Sequence, residues 1–203
     1  MTHFDFEAVS HIFAEIHEAT GRRFHHGCGS YLFDGGTYRY DPSMASKQQL
    51  LARVASEVDS VLEIGTYLGH SLLVMLSANP RLRVTTIDVE ATFAAVAVDV
   101  VKRHFPEAKV DFVHGNSLDA LPRLTDKYDL FHIDATHEPA QVGREWDAIL
   151  PHRSSDLVKV VFDDIDTVWS VVDQIKRETE VLEETVPDCR WRNAYYAVRV
   201  KQR

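Results

Sequence analysis

Residues 61–71 read Val61-Leu62-Glu63-Ile64-Gly65-Thr66-Tyr67-Leu68-Gly69-His70-Ser71. A short apolar run carries one acid, breaks at a glycine-bearing turn and leads into a helix-forming stretch. That is the pattern of a buried strand feeding a crossover helix. Downstream the same alternation recurs. Runs at 61–64, 84–88, 110–114, 130–134 and 158–163 read as parallel strands, and helices are expected near 69–78, 92–104, 117–123, 138–150 and 166–178. A stretch at 180–186 and a firmer one at 194–200 read as an antiparallel hairpin closing the sheet edge. The expected class is α/β, a doubly wound, mostly parallel seven-stranded sheet.

Upstream, Phe6, Val9, Ile12, Phe13 and Ile16 recur at helical spacing, a helical N-terminal extension ending near Gly21. Residues 21–43 mix glycine, aromatic and basic side chains without a period and read as a lid-like loop. A second helix starts at Pro42, with Ser43 expected as its cap and Leu50, Leu51 and Val54 on one face. The division is therefore 1–43 as extension and 44–203 as the main domain.

The chain has 203 residues, 45% hydrophobic and 26% charged, within the range of an ordinary globular protein. With 22 Lys and Arg against 31 Asp and Glu its net charge is −9, which disfavours nucleic acid as a partner. Membrane association is not expected either. The N-terminus lacks the pattern of a signal peptide, and the longest apolar candidate, broken by Asp99, falls short of the roughly 20 residues of a spanning helix. Cys28 and Cys189 form no CxxC pair, and a reduced, cytoplasmic setting is the default.

In an open α/β sheet, ligands bind outside the carboxyl ends of the strands. Glu63 stands where a dinucleotide fingerprint needs glycine, and a carboxylate there repels a pyrophosphate. The turn of Gly65, Thr66, Tyr67, Gly69 and Ser71 suits a ligand with cationic character, approached by backbone N–H groups. Asp88, 23 residues beyond Gly65, and Glu90 after it are placed to accept from ribose hydroxyls. Asn116 and Ser117 follow the third strand and can read an adenine edge. An adenosine-like ligand without phosphates follows. The rival reading has Glu63 and Asp88 merely capping helices.

Through VLEIGTYLGHS, TTIDVE, HGNSLDALP and YDLFHIDATH, in that order, residues 44–178 resemble the class I S-adenosylmethionine-dependent methyltransferases, which have a Rossmann-like fold. The resemblance implies that Glu63, Gly65 and Gly69 hold the methionine moiety, Asp88 the ribose, and Asn116 and Ser117 the adenine. Tyr67 departs from the family's commoner E-x-G-x-G-x-G form, standing at its middle glycine.

The fourth and fifth strands end in Asp134 and in Asp163-Asp164. Adjacent strands bring these carboxylates together, and such a cluster repels itself unless a cation or proton intervenes. Mg²⁺ or a similar divalent cation suits it. The layout is similar to the metal-dependent small-molecule O-methyltransferases of the catechol and antibiotic-sugar type. That resemblance implies Mg²⁺ on Asp134, Asp163 and Asp164, a hydroxylated small-molecule substrate, and His137 as general base, with Asp134 also close to the sulfonium. The glycine pair usual before the fifth strand is replaced by His152-Arg153-Ser154-Ser155.

Several assignments stay open at this level. Asp164 or Asp166 can cap the following helix, and His137 can be a helix-start residue before Pro139. His132 is expected to face the sheet packing, and His25 and His26 to ligate nothing. Trp146 and Trp169 are expected to pack, while Trp191 lies near the closing hairpin. Phe24, Tyr31, Phe33, Tyr38 and Tyr40, interleaved with Arg22, Arg23 and Arg39, form either a lid or a packing or dimer surface, a homodimer being the commonest oligomer. Alternatives to metal-assisted O-methylation are metal-free methylation at nitrogen and a cofactor-binding module without turnover.

Overall fold

A computed structural model describes residues 5–21, 31–33, 38–134 and 136–201. Strands β1 (Tyr31–Phe33) and β2 (Tyr38–Tyr40) form a separate antiparallel pair within the expected loop. The main sheet contains β3 (Ser60–Ile64), β4 (Arg83–Asp88), β5 (Lys109–His114), β6 (Leu130–Ile133), β7 (Leu157–Phe162), β8 (Thr179–Thr185) and β9 (Ala194–Val200). Its order is β5-β4-β3-β6-β7-β9-β8. The first five strands are parallel, β9 runs antiparallel to β7, and β8 pairs antiparallel with β9. Strand order reverses between β3 and β6, which opens a crevice at their carboxyl ends.

The helices are α1 (Phe6–Ala19), α2 (Ala45–Ala55), α3 (His70–Ala78), α4 (Ala91–His104), α5 (Ser117–Ala120), α6 (Pro139–Ile149) and α7 (Ile165–Glu178). Strand side chains alternate between two cores, as the pleat requires. Val61, Val84, Val110, Leu130 and Val161 pack with Leu50, Leu51, Leu72, Leu76 and Val101 of α2, α3 and α4. Leu62, Ile64, Phe131, Ile133 and Val160 pack with Val142, Trp146, Val168 and Val172 of α6 and α7. Because both faces are covered, β3 is buried along its whole length and reads as a continuous apolar run broken only by Glu63.

The amphipathic α1 inserts Val9, Ile12, Phe13 and Ile16 into the first of these cores and packs against α4 and α3. Its outer edge is tied down by Glu15, which accepts from Arg103 at 2.6 Å and meets His104 at 2.7 Å.

Three expectations change. Asp41, not Ser43, caps the entry to the second helix. A one-turn 3-10 segment (Pro42–Met44) precedes α2, and the Asp41 carboxylate accepts from Ser43 N at 3.0 Å. The helix expected over 117–123 is a single α-turn followed by a 3-10 turn (Leu121–Arg123), Pro122 lacking an N–H to continue the ladder. Trp169 is not a packing residue. It is 49% exposed on the outer face of α7, with Lys176 Nζ 5.7 Å from its ring centroid. The expectations for Cys28, His25, His26, Phe24, Arg22 and Arg23, and those for the side chains of Tyr31, Phe33, Tyr38 and Arg39, lie outside the described residues. Among the described residues, no helix is long and apolar enough to cross a membrane.

Candidate active site

A cavity of about 570 Å³ lies across the carboxyl ends of β3, β4, β5, β6 and β7, within the size range of small-molecule sites. Its first wall is the turn after β3. Gly65 has φ 96 and Tyr67 φ 44, the left-handed region that favours glycine. Tyr67 thus adopts a glycine's conformation where the commoner family form has one, at a cost of about 1–3 kcal/mol. Its ring lies edge-on to Phe93, with centroids 6.4 Å apart. The turn is held by Asp88, whose Oδ2 accepts from Thr66 N at 2.8 Å and Tyr67 N at 2.7 Å. Gly65, Thr66, Tyr67, Ser71 and Asp88 all line the cavity.

Gly69 and Glu90 do not line it. Gly69, at φ 66, starts α3, and a Cβ there would meet Ala97 Cβ at 3.1 Å, so its smallness serves helix packing. Glu90 caps α4 by accepting from Thr92 N at 2.8 Å. Glu63 also lies off the cavity surface, because its parity on β3 turns it beneath the turn, where it is 0% exposed. Strand register sets it between Thr86 of β4 and His132 of β6. Its Oε1 accepts from Ser71 Oγ at 2.5 Å and lies 3.1 Å from His132 Nδ1, while Oε2 accepts from Thr86 Oγ1 at 2.6 Å.

At the opposite end, Asn116 caps α5 by accepting from Leu118 N at 2.9 Å. Ser117 Oγ donates to Glu145 Oε1 at 2.6 Å, and Gln141 Nε2 donates to the same oxygen at 3.0 Å. Glu145 Oε2 is buried without a hydrogen-bond partner, although Glu145 is among the cavity-lining residues. A buried carboxylate oxygen left in that state favours a donor supplied by a ligand.

The third wall is acidic. Asp134 and Asp163 follow β6 and β7, and both line the cavity with Asp164. Lys47 of α2 enters from the side, its Nζ 2.6 Å from Asp163 Oδ1 and 2.9 Å from Oδ2. Burial opposes the charge on both partners, yet each outweighs it in the other, so Asp163 titrates below the ordinary carboxylate range and Lys47 above its own. Asp134 has no such partner. Burial, reinforced by the Asp163 charge, pushes its carboxyl well up, and the same two causes raise Asp164. His137 Nε2 lies between them, 3.8 Å from Asp134 and 3.7 Å from Asp164. Both His137 (φ 51) and Asp164 (φ 44) have left-handed backbone. Behind the cluster, Gln48 Nε2 is 2.9 Å from His70 Nε2, and burial, with Lys47 nearby, holds His70 down at about 3 and therefore neutral.

The three expected carboxylates, Asp134, Asp163 and Asp164, line one cavity. Among the described residues, the donor atoms that converge within 4.8 Å are those of His132, Asp134 and Asp163. Asp164 is not in that group and lies beside His137, whose Nε2 is 3.7 Å from its Oδ2. His132, expected in the sheet packing, is only 2% exposed yet lines the cavity. Trp191 lines it as well, with Asn193, whose Nδ2 donates to Lys47 O at 2.9 Å. Sequence reasoning missed Lys47, Glu145 and the role of His132, although each left a signal. Lys47 lies on the apolar stripe of Leu50, Leu51 and Val54, a helix-face position turned toward the core.

The methyltransferase-domain family matches residues 62–165, just over half of the chain. Among curated relatives, O-methyltransferase hkm8 of Aspergillus hancockii is 27% identical over 152 residues, covering 72% of this chain and 60% of its own length. Catechol O-methyltransferase of Niastella koreensis is 28% identical over 148 residues, covering 70% of this chain and 61% of its own. A transmembrane O-methyltransferase homolog of Mus musculus reaches 34% over 123 residues, 55% of this chain and 48% of its own. The chain thus spans about half to three fifths of the length of these relatives. The O-methyltransferase TomG of Streptomyces achromogenes, solved with its cofactor, shares the fold, with a TM-score of 0.66 at 19% identity over 100% of this chain and 93% of its own. An O-methyltransferase of Bacillus cereus gives 0.64 at 16% identity, covering 96% of each chain. The seven-stranded Rossmann-like sheet and the matched segment together place the chain in the methyltransferase-domain family.

Proposed function

We propose that this chain transfers the methyl group of S-adenosylmethionine to a hydroxyl of a small molecule, assisted by a divalent cation at the carboxylate cluster. One observation carries the reading: a single cavity joins the Gly65–Asp88 turn and the Asn116–Ser117–Glu145 end to Asp134, Asp163 and His137. The names of the relatives, O-methyltransferase and catechol O-methyltransferase, support a hydroxyl acceptor. The cofactor complexes of TomG and of the Bacillus cereus protein support the methyl donor.

The residues present fit both groups. The unpartnered Glu145 Oε2 is placed to accept from the 6-amino group of adenine. Asp88 faces the cavity for the ribose, and Gly65, Thr66 and Tyr67 line the part of it left for the remainder. Asp134 and Asp163 bring two carboxyl groups together with one ammonium, Lys47 on Asp163, and a divalent ion would offset the burial and repulsion that raise Asp134.

When bound, S-adenosylmethionine supplies an electrophilic methyl group and the cation supplies Lewis acidity toward a hydroxyl. The protein aligns the acceptor and receives its proton. His137 Nε2 is the acceptor of that proton, and Asp134 and Asp164 on either side neutralise the imidazolium it becomes. Lys47 fixes Asp163 in place through both oxygens. Trp191 lines the cavity beside Asn193. Alignment accounts for most of what a methyl displacement requires of a protein.

Lys47 on Asp163 also favours a second reading, in which its ammonium replaces the metal and transfer is metal-free. Methyl transfer from radiolabelled S-adenosylmethionine to vicinal dihydroxy compounds, measured after chelator treatment and again with divalent cation, separates the two. Transfer restored by the cation is the expected result. Transfer indifferent to chelator establishes the metal-free reading, and no transfer despite bound cofactor overturns both.

A further inference from the structure

We propose that the cation of this site is held by nitrogen as well as oxygen, with His132 Nε2 joining Asp134 and Asp163, so that the site prefers Mn²⁺, Fe²⁺ or Co²⁺ to Mg²⁺. The inference rests on the metal-assisted reading above and names a ligand that this reading does not use. A ring nitrogen of His132 and a carboxylate oxygen from each aspartate lie within 4.8 Å of one another. Three donors each about 2.1 Å from one ion lie about 3.0–4.2 Å apart, so the group closes on a cation with shifts of less than about 1 Å per donor.

His132 is built as a ligand is built. Its Nδ1 is engaged by Glu63 Oε1 at 3.1 Å, and Glu63 is itself fixed by Ser71 and Thr86. A carboxylate on one ring nitrogen sets the tautomer that leaves the other nitrogen as a lone pair, the usual outer-shell arrangement of metal-bound histidine. The contact of the ring with Glu63 is at Nδ1, and the side chain, 2% exposed, lines the cavity, which is where Nε2 is left to act. Strand register enforces this. Glu63 pairs with His132 across β3 and β6, so both side chains stand on one face. Asp163 keeps capacity for an ion: its Oδ1 accepts from Lys47 and Asp164 N, whereas Oδ2 accepts from Lys47 alone. Imidazole suits the later divalent metals, and Mg²⁺ prefers an all-oxygen octahedron, which sets the direction of selectivity.

The test is Mn²⁺ binding to chelator-stripped protein, followed by pulsed electron paramagnetic resonance for ¹⁴N modulation, with calorimetric affinities for Mn²⁺ and Mg²⁺. The expected result is one bound Mn²⁺ with ¹⁴N modulation that persists in His137→Gln and is lost in His132→Gln. Losing an outer partner of a ligating imidazole costs about 10–100-fold, so Glu63→Gln should weaken Mn²⁺ by that factor and leave Mg²⁺ nearly unchanged. Mn²⁺ bound without modulation, or with modulation lost only in His137→Gln, overturns the nitrogen ligand and leaves the metal-assisted reading intact. No binding of either ion overturns both. The wild-type and His137→Gln spectra decide the matter even if His132→Gln fails to fold.

Discussion

Replacing Lys47 by Met removes the cation on which the acidic wall depends while keeping the length of the side chain. Lys47 and Asp163 are 8% and 11% exposed at 2.6 Å, so truncation leaves a carboxylate in a poorly hydrated place beside Asp134. Breaking a buried pair in this way costs about 3–5 kcal/mol, and the open side of the cavity argues for the lower end, about 3 kcal/mol. In a domain of this size each kcal/mol moves the midpoint by about 2–4 °C, so Lys47→Met should melt about 6–12 °C lower. Scanning calorimetry in chelator at neutral pH measures this. Two controls give the shift its meaning. Lys47→Met with Asp163→Asn should melt above Lys47→Met alone, since no carboxylate is then left uncompensated. Millimolar Mn²⁺ should recover most of the loss in the single variant. A shift below about 2 °C, or a double variant no better than the single, would refute the view that Lys47 is the counter-ion of a strained acidic cluster.

The other predictions concern neighbouring parts of the same cavity. Burial and Asp163 raise Asp134 in the folded state, so its contribution to stability is present below the unfolded carboxylate pKa and lost as pH rises through the folded value. Asp134→Asn should therefore melt higher than the parent at pH 8 without metal, match it near pH 3.5, and bind no divalent cation, by calorimetry across that range. Glu145→Gln should weaken S-adenosylhomocysteine by about 10–150-fold, the worth of a hydrogen bond to a charged group of about 1.5–3 kcal/mol, and should narrow the preference for adenine over a 6-oxo analogue. Gly65→Ala forces an L side chain to φ 96, a strain of about 1–3 kcal/mol, and should lower both the melting point and cofactor affinity while leaving Mn²⁺ binding in place.

The five β-branched runs and the polar residue after each were legible because a strand covered on both faces leaves only apolar runs and punctuation in the sequence. Asp134 and Asp163 were placed by that punctuation alone. What the sequence hid was pairing across it. Lys47 is 116 residues from Asp163, and nothing local says that a lysine of an amphipathic helix will find a carboxylate. His132 lies between Phe131 and Ile133 in a strand buried on both sides, where no alternation separates a cavity face from a packing face. Glu63 reads from the sequence as an acid facing a ligand, but its partners come from β4, β6 and α3, and the register that sets it beneath the turn is invisible locally. The left-handed backbone of Asp164, a residue that is not glycine, is a further feature that no propensity foretells.

The central claim is that this cavity takes an adenosine-bearing methyl donor beside a cation-binding acidic wall. The most direct measurement is calorimetric titration of chelator-treated protein with S-adenosylhomocysteine, without and with Mn²⁺. The account predicts one-to-one binding that is abolished by Asp88→Ala and a separate one-to-one Mn²⁺ isotherm that is abolished by Asp134→Asn. Absence of binding by folded protein in both conditions would contradict it.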